Sequence, residues 1–165
     1  MQARMNYGQV APGAVKAIQG LEAYNRNCSI EPELRELVKL RASQINGCAY
    51  CVDMHSLDAR ALGETEQRLY ALPVWQDTPF FSERERAALL WAEKLTLLAV
   101  DHVPDEIYEQ VRPHFTDEEL ADLTMVISAI NVWNRFSVAF RAVPGHYRPA
   151  RQSESATVHE ASPVQ

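Results

Sequence analysis

Glu36-Leu-Val-Lys-Leu-Arg-Ala-Ser-Gln-Ile-Asn-Gly-Cys48-Ala-Tyr-Cys51-Val-Asp-Met-His55 decides how this chain folds. Before Asn46-Gly47, the residues Leu34, Leu37, Val38, Leu40 and Ile45 recur at helical spacing, and Asn-Gly reads as a helix stop. After it, Cys48, Cys51 and His55 stand at i, i+3 and i+7, so on a helix all three share one face. The stretch therefore reads as two helices joined by a tight reversal. Cys48 falls in the first turn of the second helix, at the positive end of its dipole. A thiol is a nucleophile or metal ligand only as thiolate, and a neighbouring imidazole or a helix N-terminus favours that form.

Working outward, the same signals recur. A helix is expected from Pro12 to about Arg26, with Val15, Ile18 and Leu21 on one face. The second runs from Pro32 to near Asn46. The third runs from about Cys48 to Leu62 and stops at Gly63, a favourable C-terminal cap. A short helix over Glu66 to Ala71 ends before Pro73. Ser82-Glu-Arg-Glu85 is a capping box and opens a helix from Glu83 to about Ala99. Pro104 opens a shorter helix. Thr116-Asp-Glu-Glu119 is a second capping box, and the helix it opens ends near Arg141, before Pro144. That last helix carries Leu120, Leu123, Met125, Val126, Ile127, Ile130, Val132, Trp133, Phe136, Val138 and Phe140, and is expected to be buried all round, in a core or between subunits. No segment alternates with period two. The fold class is all-α, with about six or seven helices in one domain over residues 1–148. Residues 149–165 are polar and aperiodic and read as a mobile tail.

A chain of 165 residues can bury a core without disulfide staples. Lys plus Arg is 16 against 22 Asp plus Glu, a net charge of -6, which argues against a nucleic-acid partner. No run approaches the roughly 18 apolar residues of a membrane span, and MQARMNYGQV lacks the apolar core of a signal peptide. Three cysteines, two of them in a CxxC, point to redox or metal chemistry in the cytoplasm and away from a secreted disulfide framework.

Several readings of Cys48, Cys51 and His55 compete. A structural zinc site draws a second pair of ligands from elsewhere, and only Cys28 remains as a thiol. Haem attachment needs His directly after the second Cys, where this chain has Val52. Two inert buried cysteines beside a solvated histidine are also compatible with the spacing. Glu36 would lie roughly 18 Å from Cys48 on one unbroken helix. If the chain folds back at Asn46-Gly47, however, Glu36 comes near His55 and can orient it, completing a set of nucleophile, base and orienter. Taken alone, Glu36 is a surface charge. Asn131, Asn134 and Arg135 interrupt an apolar helix and should form a network or reach a partner subunit. Cys28 reads as a small buried hydrophobe, Trp75, Trp91 and Trp133 as core or interface residues, and His102, His114, His146 and His159 as surface or capping residues.

The pattern Glu36, eleven residues, Cys48-x-x-Cys51-x-x-x-His55, set within ELVKLRASQINGCAYC, resembles the AhpD-like branch of the carboxymuconolactone decarboxylase family. Asn131-Val-Trp-Asn134-Arg135-Phe is similar to the family's closing segment, so the resemblance spans roughly residues 10–145. It implies an all-α fold, obligate oligomers (trimers or hexamers), and a thiol peroxidase or disulfide reductase without metal, flavin or haem. Cys51, Cys48, His55 and Glu36 are the implied catalytic residues. In AhpD proper a histidine precedes the second cysteine; this chain has Tyr50 there, and a phenol carries protons poorly at neutral pH. The family's lactone decarboxylases do not depend on this dithiol, so the intact CxxC argues against that activity. The expected function is a cytoplasmic peroxidase acting on hydroperoxides and recycled by a lipoamide- or thioredoxin-like dithiol. The alternatives are a dithiol redox sensor or adaptor, a thiol-disulfide reductase, and a structural zinc module.

Overall fold

The computed structural model describes residues 2–149. Among these, every regular element is helical: α1 (Tyr7–Val10), α2 (Pro12–Arg26), α3 (Pro32–Ile45), α4 (Ala49–Ala61), α5 (Glu66–Ala71), α6 (Glu83–Thr96), α7 (Leu98–Asp101), α8 (Asp105–Val111) and α9 (Asp117–Phe140). Short 3-10 helices span Leu72–Asp77 and Arg112–His114. The expected mobile tail lies outside the described residues except for Pro149.

Both capping boxes form as their sequences require. Ser82 accepts from Glu85 N–H while the Glu85 side chain accepts from the Ser82 backbone, and Thr116 and Glu119 repeat the arrangement at the start of α9. The helix expected to run to Ala99 breaks sooner. Leu97 leaves helical geometry (φ −97°, ψ 28°), and α7 follows as a separate turn ending at His102.

α3 is the central helix. Leu34 and Val38 share a core with Ala88, Trp91 and Ala92 of α6 and with Leu123, Val126 and Ile127 of α9. Leu37 and Leu40 pack with Ala59, Leu72, Trp75 and Leu89. Ala42 completes a third cluster with Cys48, Cys51 and Ile130. Each fully buried aliphatic side chain contributes on the order of 1.5–3 kcal/mol. The chemistry therefore sits at one end of a well-buried helix pair.

The reversal between α3 and α4 has a definite construction. Gly47 takes φ +64°, and the Cys48 N–H reaches back to Ser43 C=O at 3.0 Å, closing the end of α3. Asn46 then ties the turn to α9. Its Nδ2 donates to Asn131 Oδ1 at 2.9 Å and to Asn134 Oδ1 at 2.8 Å. Asn134 Nδ2 donates to Ser43 Oγ (3.1 Å), and Asn131 Nδ2 to Thr96 Oγ1 (3.1 Å) and Ile127 C=O (2.9 Å). Arg135 joins through Asn131, donating to its backbone oxygen at 2.8 Å and to its Oδ1 at 3.1 Å. The polar residues of α9 thus form an internal network, one of the two outcomes expected of them.

α9 is not buried all round. Leu120, Leu123, Val126, Ile127 and Ile130 face the core, while Met125 (37%) and Val138 (48%) are exposed and Trp133 and Phe136 are half-buried. Helices α2, α3, α6 and α4 cover its buried flank, and Tyr7 packs on Phe136 and Phe140 near its end. By length and composition α9 also meets the threshold for a membrane span (mean hydropathy 1.2), contrary to the expectation that no run approaches it. Its buried flank carries Asp122, which accepts from Tyr24, and the asparagine network, so it is a core helix of this fold. Cys28 is half-buried against the α6 and α9 core and is not fully enclosed.

The network predicts a stability effect. Asn46→Ala deprives Asn134 Oδ1 of its donor and weakens the satisfaction of Asn131. An unsatisfied buried group costs about 1–3 kcal/mol. The expected result is a lower urea midpoint at an unchanged m value. A midpoint equal to that of the parent protein would show that water replaces the Asn46 amide without loss.

Candidate active site

Because the chain reverses at Gly47, α4 runs back along α3 and brings His55 against Glu36. His55 Nδ1 and Glu36 Oε2 are 2.7 Å apart. Lys39, one turn further along α3, donates to the other oxygen, Oε1, at 3.2 Å and lies 3.6 Å from Glu22 of α2. Burial alone would push the Glu36 carboxyl up, but the hydrogen bond and charge of His55, together with Lys39, outweigh it and hold Glu36 below the usual carboxylate range. An ionised Glu36 accepts the Nδ1 proton, so the neutral imidazole leaves its lone pair on Nε2. That nitrogen is buried and has no hydrogen-bond partner among the described residues. An oriented imidazole with a free lone pair is the geometry of a general base.

Cys48 caps α4. Its sulfur accepts the Cys51 N–H at 3.3 Å. The Cys51 thiol also donates to it, and this, with the backbone contact and hydrogen bonds from Ser137 and Asn134, outweighs burial and brings Cys48 down to about 6. Cys51 is pushed up instead, first by its bond to Cys48, then by burial and by the charge on Cys48. Of the two sulfurs, Cys48 is therefore the one on which a negative charge is favoured, with the Cys51 thiol hydrogen-bonded to it. Both cysteines are buried, at 2% and 1% exposure.

Cys51 and His55 line a cavity of about 760 Å³. The cavity walls include Tyr7, Tyr50, Met54, Trp133 and Tyr147. Tyr50 thus lines the cavity, but burial raises its phenol further from neutrality, so it supplies wall and not a mobile proton. Asn134 touches the dithiol, whereas Asn131 and Arg135 reach it only through the network. Trp75 and Trp91 are core residues, and Trp133 belongs to the cavity.

Four residues near the site escaped the sequence reading. Ser137 lies one turn after Asn134 on α9, on the same face. Lys39 is buried beside Glu36. Asp58 continues the Cys51–His55 stripe by three residues, a spacing that was available as a signal. Tyr147, which donates to Asp58 Oδ1 at 2.7 Å, had none, being 89 residues away in the chain. The donor atoms of Glu36, His55 and Asp58 lie within 4.8 Å of one another. A cation would fit that spacing; here the three groups are joined by the Glu36–His55 contact, with Asp58 also accepting from Tyr147. Cys48 and Cys51 are not among these donors, and Cys28 packs in a different core.

The model of the carboxymuconolactone decarboxylase family matches residues 12–94. Protein YdfG of Bacillus subtilis, itself uncharacterised, is 47% identical over 139 residues, covering 84% of this chain and 95% of YdfG. A solved structure from Agrobacterium tumefaciens, of unknown function and described as a candidate antioxidant defence protein AhpD, is 43% identical with a TM-score of 0.85, covering 87% of this chain and 99% of that one. The debrominase Bmp8 has the same fold at 23% identity and a TM-score of 0.73, over 82% of this chain and 73% of its own. This chain belongs to the carboxymuconolactone decarboxylase family and has the AhpD-like fold.

The electrostatics of the dithiol predict a titration. Thiolate absorbance should appear with a midpoint near pH 6 and should vanish as pH falls through it, since Cys48 is the depressed group. Cys51→Ala removes the largest contribution to that depression. The Cys48 midpoint should then climb toward the ordinary thiol value of about 8.5. A midpoint that stays put would assign the effect to the helix terminus, Ser137 and Asn134.

Proposed function

We propose that this chain is a thiol-dependent peroxidase that reduces hydroperoxides with the Cys48–Cys51 dithiol. The observation that carries the reading is the buried Glu36–His55 pair, because His55 and Cys51 line the same cavity. His55 takes one proton from the dithiol, and Glu36, itself held by Lys39, pairs with the resulting imidazolium. Cys51 attacks the distal oxygen of the hydroperoxide while the proton shared between the sulfurs passes to Cys48. The O–O bond breaks, the imidazolium protonates the leaving alkoxide, and Cys51 becomes a sulfenic acid. Cys48 then attacks that sulfur. Its proton leaves with the hydroxyl as water, and a disulfide closes. An external dithiol restores the pair by exchange, becoming a disulfide itself.

A lipoamide- or thioredoxin-like dithiol suits the buried pair as reductant, and the reaction needs no metal or organic cofactor. A reducing compartment such as the cytoplasm would keep the pair in its working state. The other reading, a dithiol adaptor that only passes electrons to a partner, predicts thiol exchange without peroxide consumption. Stopped-flow measurement of thiol loss with several hydroperoxides, free of other reductants, separates the two. Peroxidase action requires one alcohol formed per disulfide, with Cys28 left free. A protein that forms no Cys48–Cys51 disulfide under one equivalent of peroxide would reject the reading.

Glu36→Gln is the sharpest variant for that assay. A general base contributes about 10²–10⁴-fold, and loss of its orienting partner should forfeit part of this. The expected result is at least a roughly tenfold slower reaction with peroxide, with the fold retained. A surface charge would change the rate less than about twofold.

We also propose that the chain works as a closed homo-oligomer, a trimer or hexamer. The outward side of α9, with Met125 and Val138, and the nearby exposed Leu97, Leu98 and Val100 are the apolar surface such an assembly would cover. Light scattering at micromolar concentration should give a multiple of the 18.7 kDa chain; a monomer there would exclude the assembly.

A further inference from the structure

The stripe of chemical groups on α4 does not end at His55. Asp58 stands one turn further on the same face, and its carboxylate approaches both His55 and Glu36. The chain that leaves α9 returns across α4 and is fastened there twice. Gly145 N–H donates to Asp53 Oδ2 at 2.8 Å, and the Tyr147 hydroxyl donates to Asp58 Oδ1 at 2.7 Å. Tyr147 is half-buried, and its ring forms part of the cavity wall that Cys51 and His55 also line.

A second carboxylate beside an ionised Glu36 is unfavourable unless something holds it. Burial and the Glu36 charge both push Asp58 up, and the Tyr147 hydrogen bond works against them. The groups that bear on Asp58 are Glu36 and Lys39 from α3, His55 from α4 and Tyr147 from the returning segment, while α2 brings Glu22 and Arg26 to the same cavity. Neither cysteine figures among the charges acting on Asp58, so its own charge acts on the imidazole first.

We propose that Tyr147 is a positioning residue of the relay: its hydroxyl holds Asp58 against His55, so that a second carboxylate faces the positive charge developing on the imidazole, while its ring walls the cavity that Cys51 faces. The inference rests on His55 acting as the base of the dithiol. It assigns to the segment after α9 a part in the chemistry performed on α4.

The test reads alkylation of the Cys48–Cys51 dithiol by iodoacetamide as a function of pH, mapped by fragment mass, alongside peroxide consumption. Tyr147→Phe keeps the ring and removes only the hydrogen bond. It should move the alkylation midpoint to higher pH and slow the acid limb about threefold to tenfold, a fraction of a general-base effect. Asp58→Asn keeps an acceptor for Tyr147 and removes only the charge, and it should displace the profile in the same direction. Because Tyr147 acts through Asp58, the double variant should be no slower than Asp58→Asn alone. An unchanged profile in Tyr147→Phe, or losses that multiply in the double variant, would overturn the proposal. Should Tyr147→Phe fail to fold, Asp58→Asn decides: an unmoved midpoint there also overturns it. If the parent protein consumes no hydroperoxide, the peroxidase reading fails, and the alkylation profiles still judge Tyr147.

Discussion

Asn46 donates both hydrogens of its side-chain amide to α9, and this anchors the point at which α3 hands the chain to α4. The rest of the site depends on that anchor. The fold-back it fixes lays α4 along α3, and only then do Glu36 and His55, nineteen residues apart, come within 2.7 Å. The same turn leaves Cys48 as the last residue to close α3 and the first to cap α4. Asn134, which receives the Asn46 bond, also touches the dithiol. One polar network therefore sets the angle of two helices and the environment of two sulfurs.

The arrangement of charge follows a consistent logic from outside inward. Glu22, Lys39, Glu36 and His55 alternate acid and base from α2 through α3 to α4. In this chain each group is matched by a neighbour of opposite character, which offsets the cost of burying Glu36 as a carboxylate. The alternation ends at His55, a residue of the cavity wall whose Nε2 has no partner among the described residues.

Much of this could be read from the sequence because its signals are local. Capping boxes at Ser82 and Thr116, prolines at Pro12 and Pro32, and glycines at Gly47 and Gly63 set helix ends that the structure reproduces to within a residue or two. The Glu36–His55 approach was legible because a two-helix reversal leaves little choice of register. The break at Leu97 was not legible, since Glu83 to Ala99 is a continuous helical pattern and nothing local marks the interruption. The half-exposed character of α9 was hidden for a different reason: apolar content states what can be buried, and burial depends on which helices arrive. Tyr147 and Ser137 gave no local signal, because their importance arises only when α9 and its following segment pack against α4.

The double duty of Cys48 has a consequence for redox poise. Every contact that favours its thiolate, from the Cys51 N–H to the hydroxyl of Ser137 and the amide of Asn134, is strongest in the reduced protein and weakens when the sulfur is committed to a disulfide. Stabilising the reduced form makes the oxidised form the stronger oxidant, by about 30 mV for each 1.4 kcal/mol in a two-electron couple. The cap that holds α4 in place is thereby also a setting of the potential at which the pair gives up its disulfide to an incoming thiol.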